Sequence, residues 1–261
     1  MAIFEFHQFV IFEKGPVNTA IIDLLQGDIY LVPNEDVEKF KNKAYNKLPG
    51  FIDFFKKEKL LIEIEKGYWI PRIELNETSS EKHKPITLEI KEGADLNLIK
   101  IKFSTGIITV KGILFYGEQL PGEILPGVPI IKTGENFSNC IDKCKVTGKF
   151  DKIDEIHYLY NMNYNSCWGN RIAVTKDGTV RPCIYSEVIL GDLLKDNFHE
   201  IIDKHYQLRK MTKDQVETCK DCELRYVCFD CREIPQRTGG ALNSPNPHCR
   251  YNPYKGGWLC D

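Results

Sequence analysis

Four thiols fall within thirteen residues of this sequence, as Cys219-x2-Cys222-x5-Cys228-x2-Cys231. Cys167-x15-Cys183 precedes them, and Cys249 follows with seventeen residues between it and Cys231. A Cys-x2-Cys pair sets two thiolates on one turn, where both can reach the same metal centre. Seven thiols in this arrangement exceed what one tetrahedral zinc needs, and they suit two centres. The chain has ten cysteines in 261 residues, none in residues 1–139 and all ten in 140–261. That is about 4%, below the roughly 8–10% of secreted disulfide scaffolds. A chain this long builds a core without staples crowded into one half, so metal ligation is the better reading of these thiols.

The elements that must hold the thiols are legible around them. Thr175-Lys176-Asp177-Gly178-Thr179 is a hairpin turn flanked by Ile172–Val174 and Val180, so Cys183 emerges at the end of the second hairpin strand. Asp192 to Met211 reads as a helix with an apolar stripe of Phe198, Ile201, Ile202, His205 and Leu208. Residues 1–75 read as a separate α+β module. Its expected strands are Phe4–Phe12, Thr19–Leu25, Ile29–Val32, Leu60–Glu65 and Tyr68–Ile70. Helices begin at Asn34 and after Leu48-Pro49-Gly50, an order that suggests a winged-helix-like unit. The module carries 10 Lys+Arg against 12 Asp+Glu with no basic helix face, so nucleic acid is not its expected partner. A peptide added as an extra strand on a sheet edge suits it better. Residues 76–82 are a polar linker within a strand-rich spacer, residues 76–160. The spacer's expected strands are Ile86–Lys91, Leu98–Phe103, Ile107–Val110, Gly112–Phe115 and Ile156–Tyr160. The fold class expected is therefore α+β, with a small cysteine-rich domain over residues 161–261.

Whole-chain composition agrees with a globular protein, with 35 Lys+Arg against 37 Asp+Glu and a formal charge of −2. The start shows no signal-peptide pattern and no run is long and apolar enough for a membrane span, so a cytoplasmic protein with reduced thiols is expected.

Cys167, Gly178-x4-Cys183, the four clustered thiols and Cys249 together resemble a SPASM domain, the auxiliary iron–sulfur module found behind radical SAM barrels. The surrounding Thr212-Lys213-Asp214-Gln215, Cys219-Lys220-Asp221-Cys222-Glu223, Asp230-Cys231-Arg232 and Tyr251-Asn252-Pro253-Tyr254 resemble peptide maturases of the grasp-with-spasm type. The N-terminal module resembles, more loosely, the PqqD-like domain with which such maturases recognise a leader peptide. The resemblance implies that Cys219, Cys222, Cys228 and Cys249 hold a distal [4Fe–4S] cluster. It assigns Cys167, Cys183 and Cys231 to a proximal one. It further implies a precursor peptide as partner and, with it, a separate maturation enzyme.

Two departures from the family pattern matter. The Cys228-x2-Cys231 spacing is shorter than usual, and Asn161 and Met162 stand where relatives often have a further proximal ligand. The proximal site is therefore expected to have an open iron, a non-cysteine ligand, or no cluster. Cys140-x3-Cys144 could supply the missing thiolate or be two ordinary buried thiols, and the second is the expectation. Cys260 reads as a spare thiol. A radical SAM centre requires Cys-x3-Cys-x2-Cys, and Thr147 stands at the third position after Cys140 and Cys144. Only 22 residues separate Cys144 from Cys167, against the roughly 200 or more of a (β/α) barrel. An accessory iron–sulfur protein is thus expected, with a zinc-stapled binding protein or an open-site enzyme as rival readings.

Overall fold

The computed structural model describes residues 3–73, 75, 85–143 and 152–259. Cys144, Cys260 and the expected linker at 76–82 lie outside them. The architecture is mixed α and β, built on three apolar cores and a fourth cluster that includes thiols.

In the N-terminal module, the expected strand at 4–12 divides at His7 into β1 (Ile3–Phe6) and β2 (Val10–Lys14). β3 (Asn18–Asp23) and β4 (Asp28–Pro33) follow, then α1 (Asn34–Lys41), α2 (Pro49–Lys57) and β5 (Leu61–Ile64). β2, β3 and β4 form an antiparallel sheet, while β1 pairs with β5 in a separate ribbon. β3 is buried along its whole length because both its faces are covered. Ile21 joins an aromatic core with Phe6, Phe40 and Phe55, whereas Ala20 and Ile22 face the cysteine-rich region. Residues 68–70 are not a strand, and Tyr68 and Trp69 are exposed.

Two further expected strands are helices. β6 (Ile86–Lys91) leads to α3 (Leu96–Phe103), where a strand had been expected from residue 98. Apolar and polar residues alternate over 99–103, which mimics a strand. Asp95 decides otherwise, its carboxylate accepting from the Leu98 N–H at 3.0 Å as a helix N-cap. Burial then follows the helical period, with Ile99 and Phe103 inside and Ile101 outside. β7 (Val110–Tyr116) contains the strand expected at 112–115, whereas residues 107–109, expected to be a strand, are irregular; β8 (Ile130–Lys132) and α4 (Phe137–Lys143) come next. α5 (Glu155–Asn163) replaces the strand expected at 156–160. Asp154 caps it, accepting from the His157 N–H at 2.8 Å.

β9 (Arg171–Val174) and β10 (Thr179–Arg181) form the expected hairpin, and β11 (Gly191–Asp192) extends it. α6 (Phe198–Arg209) is shorter than expected because Asn197 caps it, accepting from the His199 N–H at 2.9 Å. α7 (Glu233–Arg237) and a small ribbon of β12 (Tyr251–Asn252) with β13 (Gly257–Trp258) complete the chain.

The spacer is part of the main sheet. Strand order is β11-β10-β9-β6-β7-β8, with β9, β6, β7 and β8 parallel. This sheet crosses the boundary drawn at residue 160. Leu88, Ile90, Ile113, Phe115, Ile172 and Val174 point to one face, where α3 and α6 share their core. Alternation places Glu89, Tyr116 and Arg171 on the opposite face, and that face carries thiols.

Candidate metal centre

Eight described cysteines are free thiols, and they surround two cavities. Cys219, Cys222, Cys228 and Cys249 line the first. Cys219 opens a short 3₁₀ turn that ends on Cys222, whose N–H donates to the Cys219 carbonyl at 3.0 Å. The Leu224 N–H points at the Cys222 sulfur at 3.4 Å, a hydrogen bond of the kind that stabilises a ligating thiolate. Lys213 is buried in the wall, its ammonium donating to the carbonyls of Cys228 at 2.9 Å and Phe229 at 3.2 Å. Burial disfavours the Lys213 charge, but Cys228, Asp230 and Cys219 outweigh it and hold the ammonium protonated. Burial raises the Cys219 thiol to about 11 and the Cys222 thiol to about 12, so without a metal these two keep their protons at neutral pH.

Cys167, Cys183 and Cys231 line the second cavity, together with Cys140. Cys140, for which both a ligand role and an ordinary buried thiol are open on sequence, thus borders the same cavity as these three. Cys167 and Cys231 lie within hydrogen-bond reach of each other; that contact and burial raise the Cys167 thiol. Burial raises Cys183 and Cys140 as well. Asn161, at the position of the family's usual ligand, instead donates to the Tyr226 carbonyl at 2.8 Å.

Residues without a thiol hold the two cavities in place. Asn165 accepts from the N–H groups of Cys167 at 3.0 Å and Trp168 at 2.8 Å, and donates to Asp230 at 2.6 Å. Asp230 pairs with the fully buried Arg232, which donates to the carbonyls of Leu242 at 3.1 Å and Ser244 at 2.8 Å. This network joins the segment before Cys167 to the one between Cys228 and Cys231. Glu89, also fully buried, accepts from Arg171 at 2.8 Å, the Tyr116 hydroxyl at 3.2 Å and the Ile184 N–H at 2.6 Å. It thereby fixes the residue after Cys183 to the sheet. Sequence reasoning missed Glu89, although a carboxylate in the middle of Leu88-Glu89-Ile90 is a usable signal of a satisfied buried charge. Phe229 lines both cavities and also a groove that includes Lys111, Lys152, His157 and Tyr160.

Residues 167–223 match the SPASM iron–sulfur cluster-binding domain. The SPASM segment contains Cys167, Cys183, Cys219 and Cys222, and Cys228, Cys231 and Cys249 follow it. Over 85 residues the chain is 33% identical to an AdoMet-dependent heme synthase of Methanosarcina barkeri, covering 31% of this chain and 24% of that protein. Over 82 residues it is 29% identical to an AdoMet-dependent heme synthase of Nitratidesulfovibrio vulgaris, covering 31% and 22%. The match thus spans about a quarter of these relatives, and it relates the SPASM segment to radical SAM–SPASM proteins.

The donor sets suit iron–sulfur clusters. Soft thiolates are the ligands such clusters require, and backbone N–H donors and a buried cation offset their charge. Among the described residues, no three Cys, His, Asp or Glu side chains converge on a single-ion site.

Proposed function

We propose that this chain acts in the maturation of a ribosomally made peptide. The N-terminal module binds the precursor's leader, and the cysteine-rich half carries two auxiliary [4Fe–4S] clusters. The observation that carries this reading is the pair of thiol-lined cavities sharing Phe229 with an open groove. Bound there, clusters would supply one-electron transfer or a positioning charge close to a substrate. The chain's own residues build the surroundings: Lys213 lowers the negative charge of the distal site, and Phe229 borders both sites and the groove. Free thiols also agree with a reducing, cytoplasmic setting.

The leader reading rests on the N-terminal module, taken as a winged-helix, PqqD-like unit. Among the described residues β2 pairs only with β3 and keeps an edge to which a strand can add, whereas on β1 the Phe4 backbone bonds the Tyr45 hydroxyl and the Phe6 carbonyl accepts from Arg72. Between them lies a cleft lined by Phe4, Phe12, Phe40 and Tyr45, with Lys41, Lys43 and Arg72 at its rim and Glu5 as the only acid. Apolar walls with a cationic rim favour an extended peptide carrying acidic residues. A separate maturation enzyme would act on the peptide so held.

The test is fluorescence anisotropy with a labelled leader from a precursor encoded beside this protein. Saturable binding is expected. Lys41→Glu with Lys43→Glu, both exposed, should weaken it about tenfold, equivalent to about 1.4 kcal/mol. Absence of saturable binding to the wild-type protein would contradict the leader role. The zinc-stapled scaffold remains the rival for the cysteine-rich half, and metal content separates the two.

A further inference from the structure

We infer that Cys140, carried by α4, is the fourth thiolate ligand of the second cluster and closes a site that would otherwise hold an open iron. This inference rests on the cluster reading above and adds a ligand to it. Cys140 lies 27 residues before Cys167 and beyond the SPASM segment, on a helix that follows the edge strand β8. Three observations carry the assignment.

The first is position. Cys140 shares one cavity wall with Cys167, Cys183 and Cys231, so four thiols surround the second cavity just as four surround the first. The second is how α4 is held there. Asn136 and Asn139 cap its start reciprocally, the Asn139 N–H donating to the Asn136 side chain at 3.1 Å and the Asn136 N–H to the Asn139 side chain at 2.9 Å. The Phe137 ring packs on Tyr185 at 5.8 Å, and Arg237 stacks over Phe137 at 4.3 Å. The Tyr185 hydroxyl donates to the Glu135 carbonyl. Tyr185 is two residues after Cys183, and Arg237 is on the helix that follows Cys231. The segments bearing two of the other thiols therefore place α4.

The third is the chemistry of the competing donors. Glu135 and Glu233 also line the cavity. Glu233 accepts from the Arg237 Nε at 2.9 Å, which commits an oxygen to another partner. Glu135 is a hard oxygen donor, and iron–sulfur clusters take thiolate in preference.

Full-length wild-type protein and the Cys140→Ala, Cys140→Ser and Glu233→Gln variants would be reconstituted anaerobically with ⁵⁷Fe and sulfide. Iron per chain, Mössbauer spectra and EPR of the reduced forms would then be compared. The wild type should show only four-sulfur iron. Cys140→Ala should keep the distal signal, which also reports folding, and either lose roughly half its iron or gain one distinct, non-thiolate iron site or a three-iron signal. Cys140→Ser should lose less iron than Cys140→Ala, and Glu233→Gln should match the wild type. In the loaded wild type, Cys140 should resist iodoacetamide, and chelation of the iron should expose it. Unchanged iron and spectra in Cys140→Ala, or alkylation of Cys140 in the loaded protein, would overturn the assignment while leaving the cluster reading intact. A wild type that takes up no iron would overturn both.

Discussion

At the scale of single residues, buried charges do as much as the thiols to define the site. Glu89 is a carboxylate placed in a strand otherwise committed to the core, and it persists there because three donors satisfy it. Glu89→Ala removes the acceptor from Arg171, from the Tyr116 hydroxyl and from the Ile184 N–H together. Stability should fall by about 3–5 kcal/mol, the usual cost of breaking a buried pair by removing one partner. Because Ile184 follows Cys183 and Arg171 lines the second cavity, iron should be lost there while the distal site keeps its own. Denaturant unfolding with parallel iron assays checks both expectations, and equal iron loss from the two sites would contradict them. Spacing marks the seven thiols of the cluster pattern, but only the resemblance divides them between two sites, because the Cys228-x2-Cys231 pair contributes one thiol to each cavity. Cys140 could not be grouped so, since only tertiary packing of α4 against Tyr185 and Arg237 brings it to the cavity.

At the scale of elements, capping and packing separate what the sequence reveals from what it hides. β6, the β9–β10 hairpin and α1 follow directly from alternation, turn residues and helical period. α3 and α5 were hidden behind strand-like alternation, and their Asp95 and Asp154 caps were the signals that outweighed it. α6 shows how a helix is anchored beside a thiol. His205 is fully buried, and its Nε2 contacts the carbonyls of Arg171 at 2.6 Å and Trp168 at 3.1 Å, on either side of the turn after Cys167. Burial first, and then the charge of Arg209, push its pKa down to about 4. The ring thus stays neutral in the folded protein, while in the unfolded chain it takes up a proton near pH 6.5. Below that pH the unfolded state binds the proton that the folded state refuses, so stability falls with decreasing pH and levels off near pH 4. The loss over that window should be about 3 kcal/mol. Thermal melts of iron-free protein should show it, and His205→Gln, which keeps an N–H donor, should flatten that part of the profile. An identical pH profile in the variant would contradict the assignment.

At the scale of the whole molecule, the peptide-binding candidate and the distal thiols share one apolar core. Ala20, Ile22 and Leu24 pack on Leu224, Tyr226, Val227 and Tyr251, and Leu224 and Tyr251 line the distal cavity. Glu13 accepts from Arg225 at 2.7 Å and from the Tyr158 hydroxyl, and Asn18 donates to the Gly256 carbonyl at 2.9 Å. Gly15 packs directly against the cysteine-rich half. A methyl group there would stand 2.1 Å from an oxygen of Glu223, the buried residue between Cys222 and Leu224. Gly15→Ala should therefore cost about 1–3 kcal/mol through overpacking and should weaken distal iron retention. Unfolding midpoints and iron content would show it, and wild-type values for both would contradict rigid docking of the module. None of this joint was legible in the sequence, because it depends on which face of β3 meets the cysteine-rich half. The main sheet, which runs from residue 86 to residue 192, likewise required the tertiary structure.

The central claim is that eight thiols around two cavities hold two iron–sulfur clusters. Metal and sulfide content of the protein purified without oxygen, combined with Mössbauer spectroscopy, tests it most directly. The account predicts a brown protein with about eight iron and about eight sulfide per chain, all in four-iron clusters, and negligible zinc. A colourless protein with stoichiometric zinc and no sulfide would contradict it.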